Sequence, residues 1–262
     1  MNACQQWRDA LRAWEIPPRI LAQAPESPWF VPDSVLRGAA GGPTVSHRRA
    51  LDALPDGGSV LDVGAGTGAM SRPLRSRARH ITVVDTVAER LAACDADART
   101  VGIWPDVARS TEPADVVVCG HVLYNVADLA PFVDALNAAT RRRAVIELTA
   151  RHPRDVEEER ALWRRFWGID RPRGPTWENA ADALRERGVE PVAEQWRTPR
   201  RGAFDSLDDL VAATRRRLCL ADDRDEELRA ALEGVAVRHE GGWVLGDPES
   251  RLVTLWWDAP QP

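Results

Sequence analysis

The chain has 262 residues and a formal net charge of −5, with 44 % hydrophobic and 29 % charged residues. That excludes a disordered chain and gives length for one large domain with appendages. All 35 basic residues are arginine against 40 acids, so the basic excess by which a nucleic-acid binder displaces counterions is missing. Basic runs at 72–79, 141–143 and 215–217 read as solvated element ends. Cys4, Cys94, Cys119 and Cys219 lie far apart, without zinc-ligand or disulfide-framework spacing. The opening residues carry no apolar signal core, and no apolar stretch approaches the roughly 20 residues of a bilayer span. The expectation is a reducing, cytoplasmic protein with no metal, no nucleic-acid partner and no membrane.

Taken in chain order, residues 3–16 predict an amphipathic helix with Trp7, Ala10, Leu11 and Trp14 on one face, stopped by Pro17 and Pro18. "APESPWFVPDS" and a short helix follow, up to the break at 41–43. Thr44 or Ser46 caps a helix running to Leu54. Strand and helix then alternate. Strands are predicted at 59–63, 80–85, 99–104, 114–120, 142–150 and 189–196, and helices at 68–77, 86–94, 127–140, 155–167 and 176–187. This spacing implies parallel strands with helices on both faces. Two consecutive helices at 206–218 and 222–233 follow, with Ser206 and Asp222 as caps. A hairpin around Gly241–Gly242 and a last strand "SRLVTLWWD" end the chain.

The stretch "SVLDVGAGTGAMSRPL" at 59–74 carries the chemistry. A phosphate-cradling Gly-Lys-Ser/Thr loop is excluded because the chain has no lysine. A dinucleotide fingerprint needs G-x-G-x-x-G. Here Gly64, Gly66 and Gly68 give G-x-G-x-G with Ala69 in the third-glycine position, which that pattern tolerates. Two acids separate the alternatives. Asp62, just before the loop, would repel a pyrophosphate and attract an ammonium or sulfonium. Asp85, at the end of the second strand, can take both hydroxyls of a ribose, in NAD as in other adenosine ligands.

"VLDVGAGTG" with "VVD" resembles the class I S-adenosylmethionine-dependent methyltransferases, over about residues 46–200. "ADVVVCGHVLYNV" (114–126) is similar to that family's fourth-strand segment, which runs under the methionine part of the cofactor toward the acceptor. The resemblance implies a Rossmann-like, doubly wound α/β fold: a mostly parallel seven-stranded sheet, with strands 189–196 and 251–258 as its antiparallel final pair. Around it stand an N-terminal helical cap (1–45), a core (46–200), a helical insertion (201–234) and a C-terminal hairpin with the last strand (235–262).

By the same resemblance Gly64, Ala65, Gly66 and Gly68 bring backbone close to the aminoacyl and ribose parts, with Thr86 near ribose or adenine. Many members place an acid after the third strand; here Ile103 and Trp104 stand instead, as an apolar clamp on adenine, Trp104 serving equally well as plain core. Cys119, Gly120 and His121 leave the fourth strand at the end where such sheets bind ligands. His121 either takes a proton from the acceptor or only packs beside the sulfonium. Tyr124 either hydrogen-bonds the acceptor or anchors its loop.

Trp7, Trp14, Trp29, Trp163 and Trp167 fall where the family builds its substrate lid, which suits an apolar or aromatic small acceptor; ordinary packing explains any one of them equally. The Asn-Pro-Pro-Tyr type signature of nucleobase N-methyltransferases is absent. The expected activity is methyl transfer from S-adenosylmethionine to a small molecule, leaving S-adenosylhomocysteine, by a monomer or homodimer. The competing readings are an NAD-dependent oxidoreductase and a non-catalytic S-adenosylmethionine-binding protein.

Overall fold

Aliphatic and β-branched runs too short for helices make the strands, and their alternation decides what each face covers. In the computed structural model, which describes residues 2–29, 42–199, 204–239 and 242–259, the strands are β1 (Gly58–Val63), β2 (Ala78–Asp85), β3 (Ala98–Val101), β4 (Ala114–Gly120), β5 (Thr140–Thr149), β6 (Val192–Pro199), β7 (Ala236–His239), β8 (Gly242–Leu245) and β9 (Glu249–Asp258). Seven of them form one sheet in the order β3-β2-β1-β4-β5-β9-β6. β1 to β5 pair in parallel, and β9 runs antiparallel to both β5 and β6. This is the Rossmann-like doubly wound sheet expected, and its order reverses between β1 and β4, where the carboxyl ends leave a crevice.

The helices are α1 (Ala3–Ala13), α2 (Pro18–Leu21), α3 (Val45–Ala53), α4 (Ala88–Ala92), α5 (Leu129–Ala138), α6 (Glu157–Trp167), α7 (Trp177–Glu186), α8 (Leu207–Arg217) and α9 (Asp225–Glu233). Leu61, Val63, Val117, Ile146 and Leu148 pack with Trp7 of α1, Phe132 of α5 and Leu184 of α7. Their strand neighbours Val60, Ile81, Val83, Val116 and Val145 point the other way, to Ala50 of α3 and Leu91 of α4. Each fully buried Leu or Ile contributes about 1.5–3 kcal/mol over an exposed one, so these two layers fix the sheet. A third cluster joins Ile16 and Ile20 to Leu162 and Trp163 of α6, Leu210 of α8 and Leu228 of α9.

The structure corrects several expectations. Residues 68–77 form turns and a 3₁₀ segment at Arg72–Leu74, not an α-helix. Pro73 has no N–H for the Ala69 carbonyl, which instead meets His47 Nε2 at 3.1 Å, and Ser71 N–H is spent on Asp62. The third strand stops at Val101, and the chain turns so that Trp104 enters the core. The sixth strand starts at Val192, because Val189 is buried closing the end of α7. Ser206 caps α8, but Asp222 opens a 3₁₀ turn and α9 begins at Asp225. The short helix expected before residue 41, the tip of the β7–β8 hairpin and the segment at 200–203 lie outside the described residues. No helix among the described residues is long and apolar enough to cross a membrane.

Candidate active site

The loop after β1 is shaped by its glycines. Gly64 has φ +70° and Gly66 φ +53°, the left-handed region that favours glycine. A Cβ on Gly64 would stand 2.3 Å from Val122 Cγ2, so the post-β4 segment packs directly on it. A Cβ on Gly66 would meet nothing within 4 Å, leaving open space over that backbone. Gly64 and Ala65 N–H donate to the Val84 carbonyl at 2.8 and 3.0 Å, fixing the loop to β2. Gly68 is buried against Cys94.

Asp85 closes β2 facing this loop. Its Oδ2 accepts from Gly66 N–H at 2.8 Å and its Oδ1 from Val87 N–H at 3.0 Å. Both bonds orient the carboxylate and leave each oxygen a further lone pair. Thr86 is exposed beside it. Asp62 has no exposed surface at all. Its Oδ2 accepts from Ser71 N–H at 3.1 Å, while its Oδ1 has no hydrogen-bond partner among the described residues. Burial pushes its carboxyl up to about 6 and the nearby charge of Asp85 adds to this, against the bonds from Ser71. Sealed in this way, Asp62 presents its charge, and no contact surface, to the space over the loop.

The two halves of the expected adenine clamp separate. Ile103 is exposed at the end of β3, whereas Trp104 is 6 % exposed and donates its indole N–H to the Phe132 carbonyl. Trp104 is core, because the early end of β3 turns its ring inward. Cys119 is buried, and burial drives its thiol up, out of reach of a nucleophilic role. Met70 packs over Gly120.

His121 stands just past β4 with φ +59°, a conformation uncommon outside glycine. Its N–H donates to the Glu147 carbonyl at 2.7 Å, and its Nε2 lies 3.2 Å from Glu147 Oε1. Glu147 is 3 % exposed on β5, paired with Gly120 across the sheet. Burial pushes its carboxyl up, but His121, Ser46 and Thr44 bonds outweigh this and hold it below the usual range. An ionised carboxylate only accepts, so Nε2 carries the proton and Nδ1 is the basic atom. Glu147 was not anticipated, yet an acid inside the apolar run "AVIEL" is the signal that marks it. His47, with Thr44 and Ser46, belongs to the same network and caps α3.

Tyr124 is buried on the same post-β4 segment. Its hydroxyl donates to the Thr149 carbonyl at 2.8 Å, and its ring stacks on Trp7 at 5.5 Å and meets His152 edge-on at 5.3 Å. Its hydroxyl is thus engaged with backbone, in the anchoring arrangement. Trp7 N–H in turn donates to the Val126 carbonyl at 2.8 Å, so α1 holds this segment in place. A cavity of about 860 Å³ opens beside His121 along residues 149–158 and the β7–β8 hairpin. A smaller one of about 300 Å³ adjoins it at His152 and Arg154 and is walled by Trp14, Trp29, Tyr124, His152 and Trp163. No group of three or more His, Cys, Asp or Glu among the described residues could hold a metal ion.

Comparisons with known proteins agree with this geometry. Residues 44–192 match the family described as "Methyltransferase domain". Ubiquinone biosynthesis O-methyltransferases from Xylella fastidiosa are 33 % identical over 88 residues, 30 % of this chain and 36 % of theirs. The chain thus spans little more than a third of the length of the curated relatives it matches. The crystal structure of the YcgJ protein from Bacillus subtilis superposes with a TM-score of 0.52 at 13 % identity, covering 83 % of this chain and 99 % of that one. A candidate methyltransferase from an antibiotic biosynthesis pathway of Anabaena variabilis gives 0.53 at 14 % identity, covering 79 % and 95 %. These two establish the fold. The family match covers more than half of the sequence, and the chain belongs to the methyltransferase-domain family.

Proposed function

We propose that the protein transfers a methyl group from S-adenosylmethionine to a small-molecule acceptor. The observation that carries this is Asp85: a carboxylate fixed by Gly66 and Val87 N–H, with lone pairs to spare, beside a loop backbone with open space over Gly66. Asp85 would hold the ribose hydroxyls, Gly64 to Gly66 the aminoacyl edge, and Ile103 one face of the adenine. Asp62 would add a field favouring the ammonium and sulfonium charges. When bound, that compound supplies an activated methyl carbon on a sulfonium.

The chain's own residues would then position and deprotonate. Glu147 holds the imidazole of His121 by Nε2, so that Nδ1 accepts the acceptor's proton as the new bond forms. General-base help of this kind is worth about 10²–10⁴-fold, and positioning contributes further. The likeness to the ubiquinone-pathway enzymes supports an oxygen acceptor, and the tryptophan-walled space supports an apolar or aromatic one. The four free, buried cysteines fit a reducing cytoplasm.

The test is calorimetric titration with S-adenosylhomocysteine. Asp85→Ala is expected to weaken binding at least tenfold, as loss of charge-assisted hydrogen bonds of about 1.5–3 kcal/mol implies. Unchanged affinity would remove the ribose role.

A further inference from the structure

The smaller cavity, which shares His152 and Arg154 with the one beside His121, carries an unusual charge arrangement. Arg171 is 8 % exposed, with its guanidinium between the rings of Trp14 and Trp163 at 4.7 and 4.8 Å. It donates to the carbonyls of Trp14 and Glu15, which leaves its Nε without a hydrogen-bond partner. The indole N–H of Trp14, 6 % exposed on the same wall, is likewise unpartnered. Arg154 also lines the cavity; its Nη2 donates to the Pro28 carbonyl at 2.6 Å and its guanidinium lies 4.8 Å from the Trp29 ring.

Neither arginine has a carboxylate within 4 Å among the described residues. Arginines on the surface do: Arg49, Arg143 and Arg187 pair at 2.6, 2.7 and 2.9 Å. The one acid on this cavity wall besides Glu15 is Glu159, 4 % exposed, which acts on both guanidiniums only from a distance. Arg217 adds a further positive charge beside Arg154. Burial, with the charges of Arg154 and Arg171, holds the His152 imidazole down to about 4, so it stays neutral. The larger cavity carries both signs, with Arg151, Arg217 and Arg251 among Asp155, Glu157, Glu158, Glu178, Asp247 and Glu249, and Arg154 lies on the wall that the two cavities share. Leaving guanidiniums desolvated without an ion pair is costly, and an incoming anion is what offsets it.

We infer that this cavity binds the negatively charged end of the acceptor, and that the acceptor is an aromatic carboxylate: its ring lies among Trp14, Tyr124 and Trp163 and its carboxylate faces Arg154 and Arg171. This rests on the reading of the protein as a small-molecule methyltransferase and narrows its substrate class. Cavity size agrees, since about 300 Å³ is the lower end for small-ligand sites. Aromatic walls over guanidiniums suit a ring bearing an anion.

The test uses 4-hydroxybenzoate and 4-hydroxybenzamide, two probes of the same shape that differ in charge, titrated into the full chain with tryptophan fluorescence as the readout. The carboxylate is expected to bind at least tenfold more tightly than the amide at pH 7.5. In Arg154→Gln, which removes the less buried of the two charges, the preference should fall below threefold. Equal binding of the two probes, no saturable response to either at millimolar concentration, or a preference intact in Arg154→Gln overturns the inference. The unmodified protein alone decides the first two outcomes, so a variant that does not fold leaves the test complete. Titrating the same samples with S-adenosylhomocysteine separates the readings. Binding of that compound without carboxylate preference removes this inference and spares the proposed function; carboxylate preference without binding of that compound leaves an anion-binding cavity but overturns the proposed function and, with it, the cavity's role as an acceptor site.

Discussion

Asp62→Asn is expected to stabilise the ligand-free protein at neutral pH and to weaken its hold on S-adenosylhomocysteine. The carboxyl of Asp62 is raised from 3.8 to about 6 by burial without a partner for Oδ1. A raised pKa means that the folded state holds the proton more tightly than the unfolded state. Stability from this group is therefore greatest below about pH 4 and is lost as pH rises through about 6. A shift of about two units at about 1.4 kcal/mol each makes the loss on the order of 3 kcal/mol. The amide of Asn does not titrate, and its oxygen can still accept from Ser71 N–H. The difference in stability between Asp62→Asn and the unmodified chain should thus grow by about 3 kcal/mol in favour of Asn between pH 4 and pH 7. Urea unfolding followed by tryptophan fluorescence at half-unit pH steps measures it. Taking the difference cancels every other titrating group. A difference that stays flat across that range would refute the reasoning, because it would mean that Asp62 does not change its proton affinity on folding.

His121→Gln should lower kcat by about 10²–10⁴-fold while leaving the Kd for S-adenosylhomocysteine within threefold, since the imidazole is placed to act on the acceptor's proton; stopped-time assays and calorimetry on the same preparation check it. Glu147→Gln should act through that imidazole, lowering kcat while leaving the Kd for S-adenosylhomocysteine within threefold, which a general loss of packing would not do. His152, whose imidazole is held down to about 4, makes the folded state resist protonation. Stability from it is lost as pH falls from about 6.5 toward 4, so His152→Gln should lose less stability than the unmodified chain over that interval in urea unfolding at fixed pH values.

What could be read ahead of the structure was local. Asp62, Gly64, Gly66 and Asp85 announce themselves because a strand end, a left-handed turn and the next strand end are each encoded within a few residues. Glu147 could be suspected as an acid in an apolar strand, but its hold on His121 depends on Gly120 and Glu147 lying opposite each other in the β4–β5 register. That register comes from packing two faces at once, and no window of sequence contains it. Arg171 is further removed: Trp14 comes from the chain's start and Trp163 from α6, and only the third hydrophobic cluster brings those segments together. The failure at 68–77 was of another kind. The periodicity there is helical, but Pro73 and the demand of Asp62 for Ser71 N–H take away the bonds that a helix would need.

That lost helix also bears on which ligand the loop suits. A dinucleotide site seats its pyrophosphate on the N-terminus of the helix after the glycine loop, where aligned peptide dipoles and free N–H groups offset the phosphate charge. Here the loop leads into turns and three residues of 3₁₀ helix, too short for an appreciable dipole. Ser71 N–H, a donor such an anion would need, already serves Asp62. Beneath the loop lies a carboxylate, sealed from solvent and so weakly screened, that is ionised for the most part above pH 6. Two phosphates would meet repulsion with little to offset it, while an ammonium and a sulfonium would relieve the cost of burying that charge. The glycine spacing tolerates either ligand; the turn that Pro73 forces and the charge of Asp62 together favour the cation.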